Sequence, residues 1–461
     1  MSALIQIGKP KAALSVGGAA GLSAHEKAAV AVTVIGAAIF LASFAAPGRL
    51  SGWPPLLAMM VLFGGGASSY FWFAYRGTPP GIKNNALATS GLTARGAAGW
   101  LLGVVFTSFY VLLYWHAEPL EGGIRLLDPL ALALSHKPAN QWFLYGFLYT
   151  LAVLVMGFRM MLRYRHNRYQ LIRTTSVMFF QLGFAFLLPN LLKALNEPEF
   201  YFTYFWPLKP EVLLPWSIDG GWYTSTRFGM SFIYIAAGMT FLATPVMTWL
   251  YGKRWYCSFV CGCGGLAETL GDPWRQLSDN SETAWKIERW MIHSVLALIT
   301  LLTAFLWVNA AGGNKILGAD GSLLFSRTYG FFIGAMFSGV IGVGFYPLMG
   351  SRVWCRFGCP MAAYLGLLQR FFSRFRITTN GGQCISCGNC STYCEMGIDV
   401  RAYAQRGENI VRASCVGCGV CAAVCPRGVL KLENGKVGDR FAGADRPVRA
   451  FLEALGLRPP S

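Results

Sequence analysis

Acidic side chains are scarce in this chain: 21 Asp and Glu stand against 39 Lys and Arg in 461 residues, and charged residues of both signs make up only 13%. A soluble globular domain normally carries about 25% charged residues, so an ordinary soluble enzyme is excluded. Histidine is scarcer still, with His25, His116, His136, His166 and His293. These form no pair in the middle of two apolar runs, and no C-x-x-C-H occurs, so neither a bis-imidazole membrane haem nor a covalent haem is expected. The chain also lacks a Walker A loop, a dinucleotide fingerprint and a hydrolytic constellation. ATP and directly bound nicotinamide are therefore not expected as energy or electron sources, and electrons must arrive from a partner.

What is abundant is apolar sequence. Hydrophobic residues reach 54% and mean hydropathy is +0.44, gathered into runs at 28–46, 55–75, 98–115, 141–160, 176–194, 228–251, 291–310 and 330–349. Each run approaches the ~20 residues needed to cross a hydrocarbon core, so eight transmembrane helices are expected. Orientation follows from the basic residues. The loop after the fourth run carries Arg159, Arg163, Arg165, Arg168 and Arg173 without an acidic residue and is expected to be cytoplasmic. The loop at 195–227 carries Glu197, Glu199, Glu211 and Asp219 with an aromatic stretch from Phe200 to Trp206, which fits the opposite face. Alternation then places both termini in the cytoplasm of a bacterium, with the chain in its inner membrane. The apolar stretch near the N-terminus has no small-residue cleavage site and reads as the first span rather than a signal peptide.

The net charge of +18 does not point to nucleic acid. Basic loops account for much of it, as does a segment in which Arg370, Arg374 and Arg376 interleave with Phe371, Phe372 and Phe375, a collar for the anionic leaflet. Ser90-Gly91-Leu92-Thr93 is close to a short flavin-attachment sequence but differs at one of four positions, and Thr93 reads as a cap for the third span.

Thirteen cysteines fall in two groups. Near the C-terminus, Cys384, Cys387, Cys390 and Cys394 are followed 31 residues later by Cys415, Cys418, Cys421 and Cys425. Each quartet is C-x2-C-x2-C-x3-C, and Pro426 follows the second, which is the bacterial pattern for two 4Fe-4S clusters. The first three cysteines of a quartet wall one cage and the fourth reaches the other. Cluster one is thus assigned to Cys384, Cys387, Cys390 and Cys425, and cluster two to Cys415, Cys418, Cys421 and Cys394. Glu395 stands where a proline would follow Cys394.

The remaining five are Cys257, Cys261, Cys263, Cys355 and Cys359. Gly252-Lys-Arg-Trp-Tyr-Cys257-Ser-Phe-Val-Cys261 aligns with Gly350-Ser-Arg-Val-Trp-Cys355-Arg-Phe-Gly-Cys359 at a constant offset of 98. Both copies follow a span on its inner side. In a helix, spacing of four puts both thiols on one face, and Cys257, Cys261, Cys355 and Cys359 become a redox or metal site; the alternative is four small buried residues packed as hydrophobes. Cys263 has no counterpart in the second copy and is either a spare ligand or a buried thiol.

Two membrane-edge C-x3-C motifs, the second as C-x3-C-P, followed by a two-cluster ferredoxin resemble the polyferredoxin membrane proteins typified by NapH, MauN and the C-terminal half of NosR, over about residues 228–430. The resemblance implies electron transfer between a cytoplasmic donor or the quinone pool and a partner redox protein, as a quinone-linked oxidoreductase subunit. Gly262 in place of proline departs from that pattern. The expected layout is a tail at 1–27, a five-helix membrane region at 28–227, a three-helix region with both C-x3-C motifs at 228–370, an α+β ferredoxin-like domain at 371–432 and a tail at 433–461. Two other functions fit the residues: a copper reductase or assembly factor using the C-x3-C pairs, or a redox-sensing membrane regulator.

Overall fold

A computed structural model describes residues 22–78, 80–81, 95–215 and 225–434. Thr93, Asp219 and most of both tails lie outside the described residues. Eight helices are long and apolar enough to span a membrane: α1 (Ala24–Ala45), α2 (Trp53–Arg76), α3 (Ala97–Trp115), α4 (Gln141–Arg163), α5 (Arg168–Ala194), α6 (Gly229–Tyr251), α7 (Glu282–Ala311) and α8 (Gly321–Ile341). Local chemistry starts them. Ser23 forms a capping box with Glu26, and the side chains of Asn140, Asn167 and Ser281 cap α4, α5 and α7. Leu41, Leu101, Phe241 and Leu301 point outward and stay exposed, which suits hydrocarbon and not water. Just before Pro189 in α5 and Pro245 in α6 the helices widen to π geometry, since proline supplies no N–H to the turn behind it.

The chain departs from its hydropathy pattern in three places. The eighth span runs 321–341 and not 330–349, because Gly342, Gly344 and Pro347 interrupt it and leave Tyr346–Met349 as a separate turn. Two short helices, Glu121–Leu126 and Asp128–Ser135, form the connection from α3 to α4, outside the apolar runs. The aromatic stretch of the α5–α6 loop turns inward. Phe205 is buried with its ring 5.4 Å from that of Tyr256, and the Trp206 ring lies 5.4 Å from that of Tyr364, so the loop wedges inward to the first C-x3-C segment.

The α4–α5 turn, the segment between α6 and α7, and the chain after α8 gather at one end of the bundle. There α9 (Pro360–Phe372) leads into a small head closed by an antiparallel pair, β1 (Phe375–Thr378) with β2 (Lys431–Asn434), in which Phe375 faces Asn434 and Thr378 faces Lys431. The protein is therefore an all-α polytopic membrane bundle carrying a C-terminal α+β ferredoxin-type head.

Candidate iron-sulfur and membrane cysteine sites

The head contains two small cavities. Cys384, Cys387, Cys390 and Cys425 line the first, with Ile385 and Leu430 among its apolar walls. Cys394, Cys415, Cys418 and Cys421 line the second, walled by Ile377, Ile398 and Val416. The fourth cysteine of each quartet thus lies at the other quartet's cavity. The backbone explains why. In each quartet a left-handed glycine, Gly388 or Gly419, turns the chain into a four-residue helix, Asn389–Thr392 or Val420–Ala423, that carries the third cysteine and sends the fourth away from the first three.

The donor set fits a cubane: four thiols around an apolar hollow, with no other ligand type needed. Among the described residues no three Cys, His, Asp or Glu side chains converge as tightly as a single ion requires, whereas thiolates around a four-iron cage sit at separated corners. Burial pushes the Cys415 thiol up to about 11 and the Cys394 and Cys418 thiols up to about 12. Metal loading must therefore displace protons from these groups.

The two cavities have different surroundings. The first opens outward, with Cys387 exposed and Ile385 57% exposed. The second is clamped against the membrane bundle. Tyr169 Oη donates to the Gly417 carbonyl at 2.7 Å, Gln170 Nε2 to the Cys418 carbonyl at 2.8 Å, Ser258 Oγ to Val416 at 2.8 Å, and Gln369 Nε2 to Cys415 at 2.8 Å.

A buried ionic lattice lies beneath this loop. Asp272 binds Arg159 at 2.8 Å and Arg275 at 3.2 Å and also pairs with Arg163; Glu268 pairs with Arg173 and, at 2.7 Å, with Arg352. Glu395 completes it from the head, 2.8 Å from Arg275 and 3.1 Å from Arg352. Burial works against ionised Glu395, but Arg275 and Arg352 more than offset it and hold the carboxyl at about 2. Of the five arginines assigned above to a basic loop, Arg159, Arg163 and Arg173 are buried in this lattice, whereas Arg165 and Arg168 are exposed. Five arginines against three carboxylates leave excess positive charge, which suits a neighbouring anion such as a thiolate-bound iron-sulfur cluster.

Both C-x3-C segments repeat one backbone device. Gly252 (φ +67°) and Gly350 (φ +91°) end a helix in the left-handed region, and short helices Arg254–Cys257 and Val353–Phe357 follow. The helix breaks before the second cysteine of each pair. Cys261 and Cys359 are N-cap residues of the next helices, Gly262–Glu268 and α9, and Cys359 Sγ accepts from Ala362 N–H at 3.4 Å. The single helical face expected for each pair is thus replaced by a turn. Cys257, Cys355 and Cys359 are buried in one core with Cys261 packed against it. Arg352 spans both copies, its Nη1 3.2 Å from the Cys257 carbonyl and 3.7 Å from Cys355 Sγ. Cys263 sits beside Cys261, and a hydrogen bond from the Cys263 thiol pulls Cys261 down to about 7.

Residues 383–430 match the family model of a 4Fe-4S dicluster domain. Of curated proteins, the chain is 26% identical over 185 residues to the Escherichia coli (strain K12) protein named as electron transport protein YccM, a stretch covering 36% of this chain and 48% of that one. It is 29% identical over 151 residues to the methylamine utilization ferredoxin-type protein MauN of Paracoccus denitrificans, covering 32% and 49%. Over about a third of its length the chain is thus similar to ferredoxin-type electron-transport proteins. MauN of Methylobacillus flagellatus matches at 27% over the same length. The chain spans about half the length of these relatives. No solved structure matches.

Proposed function

We propose that this protein is an inner-membrane electron relay whose head, facing the cytoplasm, holds two 4Fe-4S clusters, one per cavity, and whose C-x3-C residues carry the route onward into the membrane. When bound, the clusters supply one-electron carriers. Cys384, Cys387, Cys390 and Cys425 would hold the outward one, beside a surface open to a redox partner protein. Cys394, Cys415, Cys418 and Cys421 would hold the inward one, fixed by Tyr169, Gln170, Ser258 and Gln369.

The observation that carries this reading is Arg352. One guanidinium lies 3.7 Å from Cys355 Sγ and 3.1 Å from the carboxylate of Glu395, the residue after Cys394. The inward cavity and the C-x3-C group are thus neighbours across one side chain. Such adjacency supports a continuous path from the head to a membrane-soluble quinone. Anaerobic purification should yield about eight iron and eight sulfide per chain from two four-iron cages, with two distinguishable reduced centres by EPR. Four iron with a single centre would contradict the proposal.

A further inference from the structure

A third cavity, of about 280 Å³, lies where the head meets the bundle, with none of the head's cysteines in its lining. Its walls come from α7, α9, the first C-x3-C segment and the head. Its charge is one-sided. Lys253, Arg289, Arg370 and Arg412 line it together with His293, and the one carboxylate, Glu288, is already engaged by Arg356 at 2.7 Å and by Ser414. Among the described residues, Arg289, Arg370 and Arg412 have no carboxylate within ion-pair distance. Arg289 and Arg412 lie over the Trp285 ring, 5.1 and 4.8 Å from its centre, and so are held at the cavity.

Lys253 adds a second, independent sign. It is only 1% exposed, and its ammonium donates to the carbonyls of Ala362 and Ala413 without an acidic partner. A buried cation without a counter-ion is costly. A ligand anion in the cavity would relieve it. The rim indicates where the anion comes from. Trp290, Phe371 and Phe372, 78%, 67% and 65% exposed, flank Arg289 and Arg370 in sequence at the bundle end, the residue types that anchor a helix at the headgroup level.

We infer that this cavity binds a phosphate ester, with Arg289, Arg370 and Arg412 as its ligands, and that an acidic phospholipid headgroup carries it. A free phosphorylated cofactor has the same chemistry and is the second source. Neither source depends on how many clusters the head holds.

The full chain, purified with its iron, would be reconstituted in nanodiscs of phosphatidylcholine or of an equimolar mixture with phosphatidylglycerol, and retained lipid counted by native mass spectrometry. Flavin mononucleotide and riboflavin would be compared by equilibrium dialysis. The expected result is retention of phosphatidylglycerol over phosphatidylcholine, reduced about tenfold or more in the double variant R289Q/R412Q, with iron content unchanged. R370Q gives an independent reading if the double variant does not fold, and R168Q, exposed elsewhere on the same face, should bind as wild type. Preference for flavin mononucleotide over riboflavin without lipid selectivity would keep the phosphate site and assign it to a soluble ligand. Absence of both preferences, or equal binding by R289Q/R412Q and R370Q, would overturn the inference.

Discussion

Glu395 of the head and Arg275 of the membrane bundle face each other at 2.8 Å, both fully buried. Glu395 occupies the position where a ferredoxin quartet usually continues with proline. The same Arg275 places Nη1 3.9 Å from Cys418 Sγ, so one guanidinium touches both the docking carboxylate and a cysteine of the inward cavity. The head is thus locked to the bundle at the point where charge would cross between them.

Replacing Glu395 by proline restores the usual quartet but strands Arg275 and Arg352. Removing one partner of a buried ion pair costs about 3–5 kcal/mol. E395P should accordingly raise hydrogen exchange across the head's contacts at Gly417 and Cys418, while the visible absorbance of the iron-sulfur centres persists. Protection equal to wild type would make the pair incidental.

The pH response of this contact has a defined sign. Glu395 is held at about 2, below its value in an unfolded chain, so its stabilisation is complete above ~4.3 and disappears as pH falls towards 2. The stability difference between wild type and E395Q, measured by denaturant titration, should stay flat from pH 8 to about pH 5 and narrow only below that. A difference that narrows near neutrality would contradict the assignment.

Arg275 should tune one centre and not the other. A cation beside Cys418 favours the more negative, reduced state, and its loss in R275Q should lower the potential of the inward centre by roughly 60 mV, equivalent to ~1.4 kcal/mol for one electron. Redox-titrated EPR reads both centres in one sample. Equal shifts of both would show that Arg275 acts on the head as a whole.

Crossed ligation is tested by Cys425→Ala. The centre lost should be the one held by Cys384, Cys387 and Cys390, whose cavity Cys425 lines, although Cys425 belongs to the other quartet. Selective loss of the inward centre instead would reverse the pairing.

The sequence made some of this legible and hid the rest for physical reasons. Cysteine spacing is local, so both quartets and the 98-residue repeat are visible before any fold is known. Apolar length is also local, and eight spans follow from it. Partnership is not local. Arg159, Arg163 and Arg173 look like ordinary basic loop residues because Asp272 and Glu268 lie about a hundred residues away. The role of Glu395 was equally hidden: its departure from proline is visible, but Arg275 and Arg352 become its partners only when head and bundle meet. Phe205 and Trp206 have the composition of an interfacial belt, and only the packed bundle reveals that they turn inward to Tyr256 and Tyr364. Glycine positions gave a clue that spacing alone did not use, since Gly252 and Gly350 end the helices ahead of each C-x3-C segment, whereas the break that keeps each pair off a single helical face falls after Cys257 and Phe357 and is not legible in the spacing.

The most direct test of the relay is reoxidation of dithionite-reduced protein by a quinone analogue, followed by stopped-flow absorbance in wild type and in C257A, C261A, C355A and C359A. The account predicts fast reoxidation in wild type and its loss in each variant, with head centres assembled and iron content at the wild-type level. Near wild-type rates in all four variants would contradict it, leaving these cysteines as packing residues costing ~1 kcal/mol each when truncated, and the head as the only redox element.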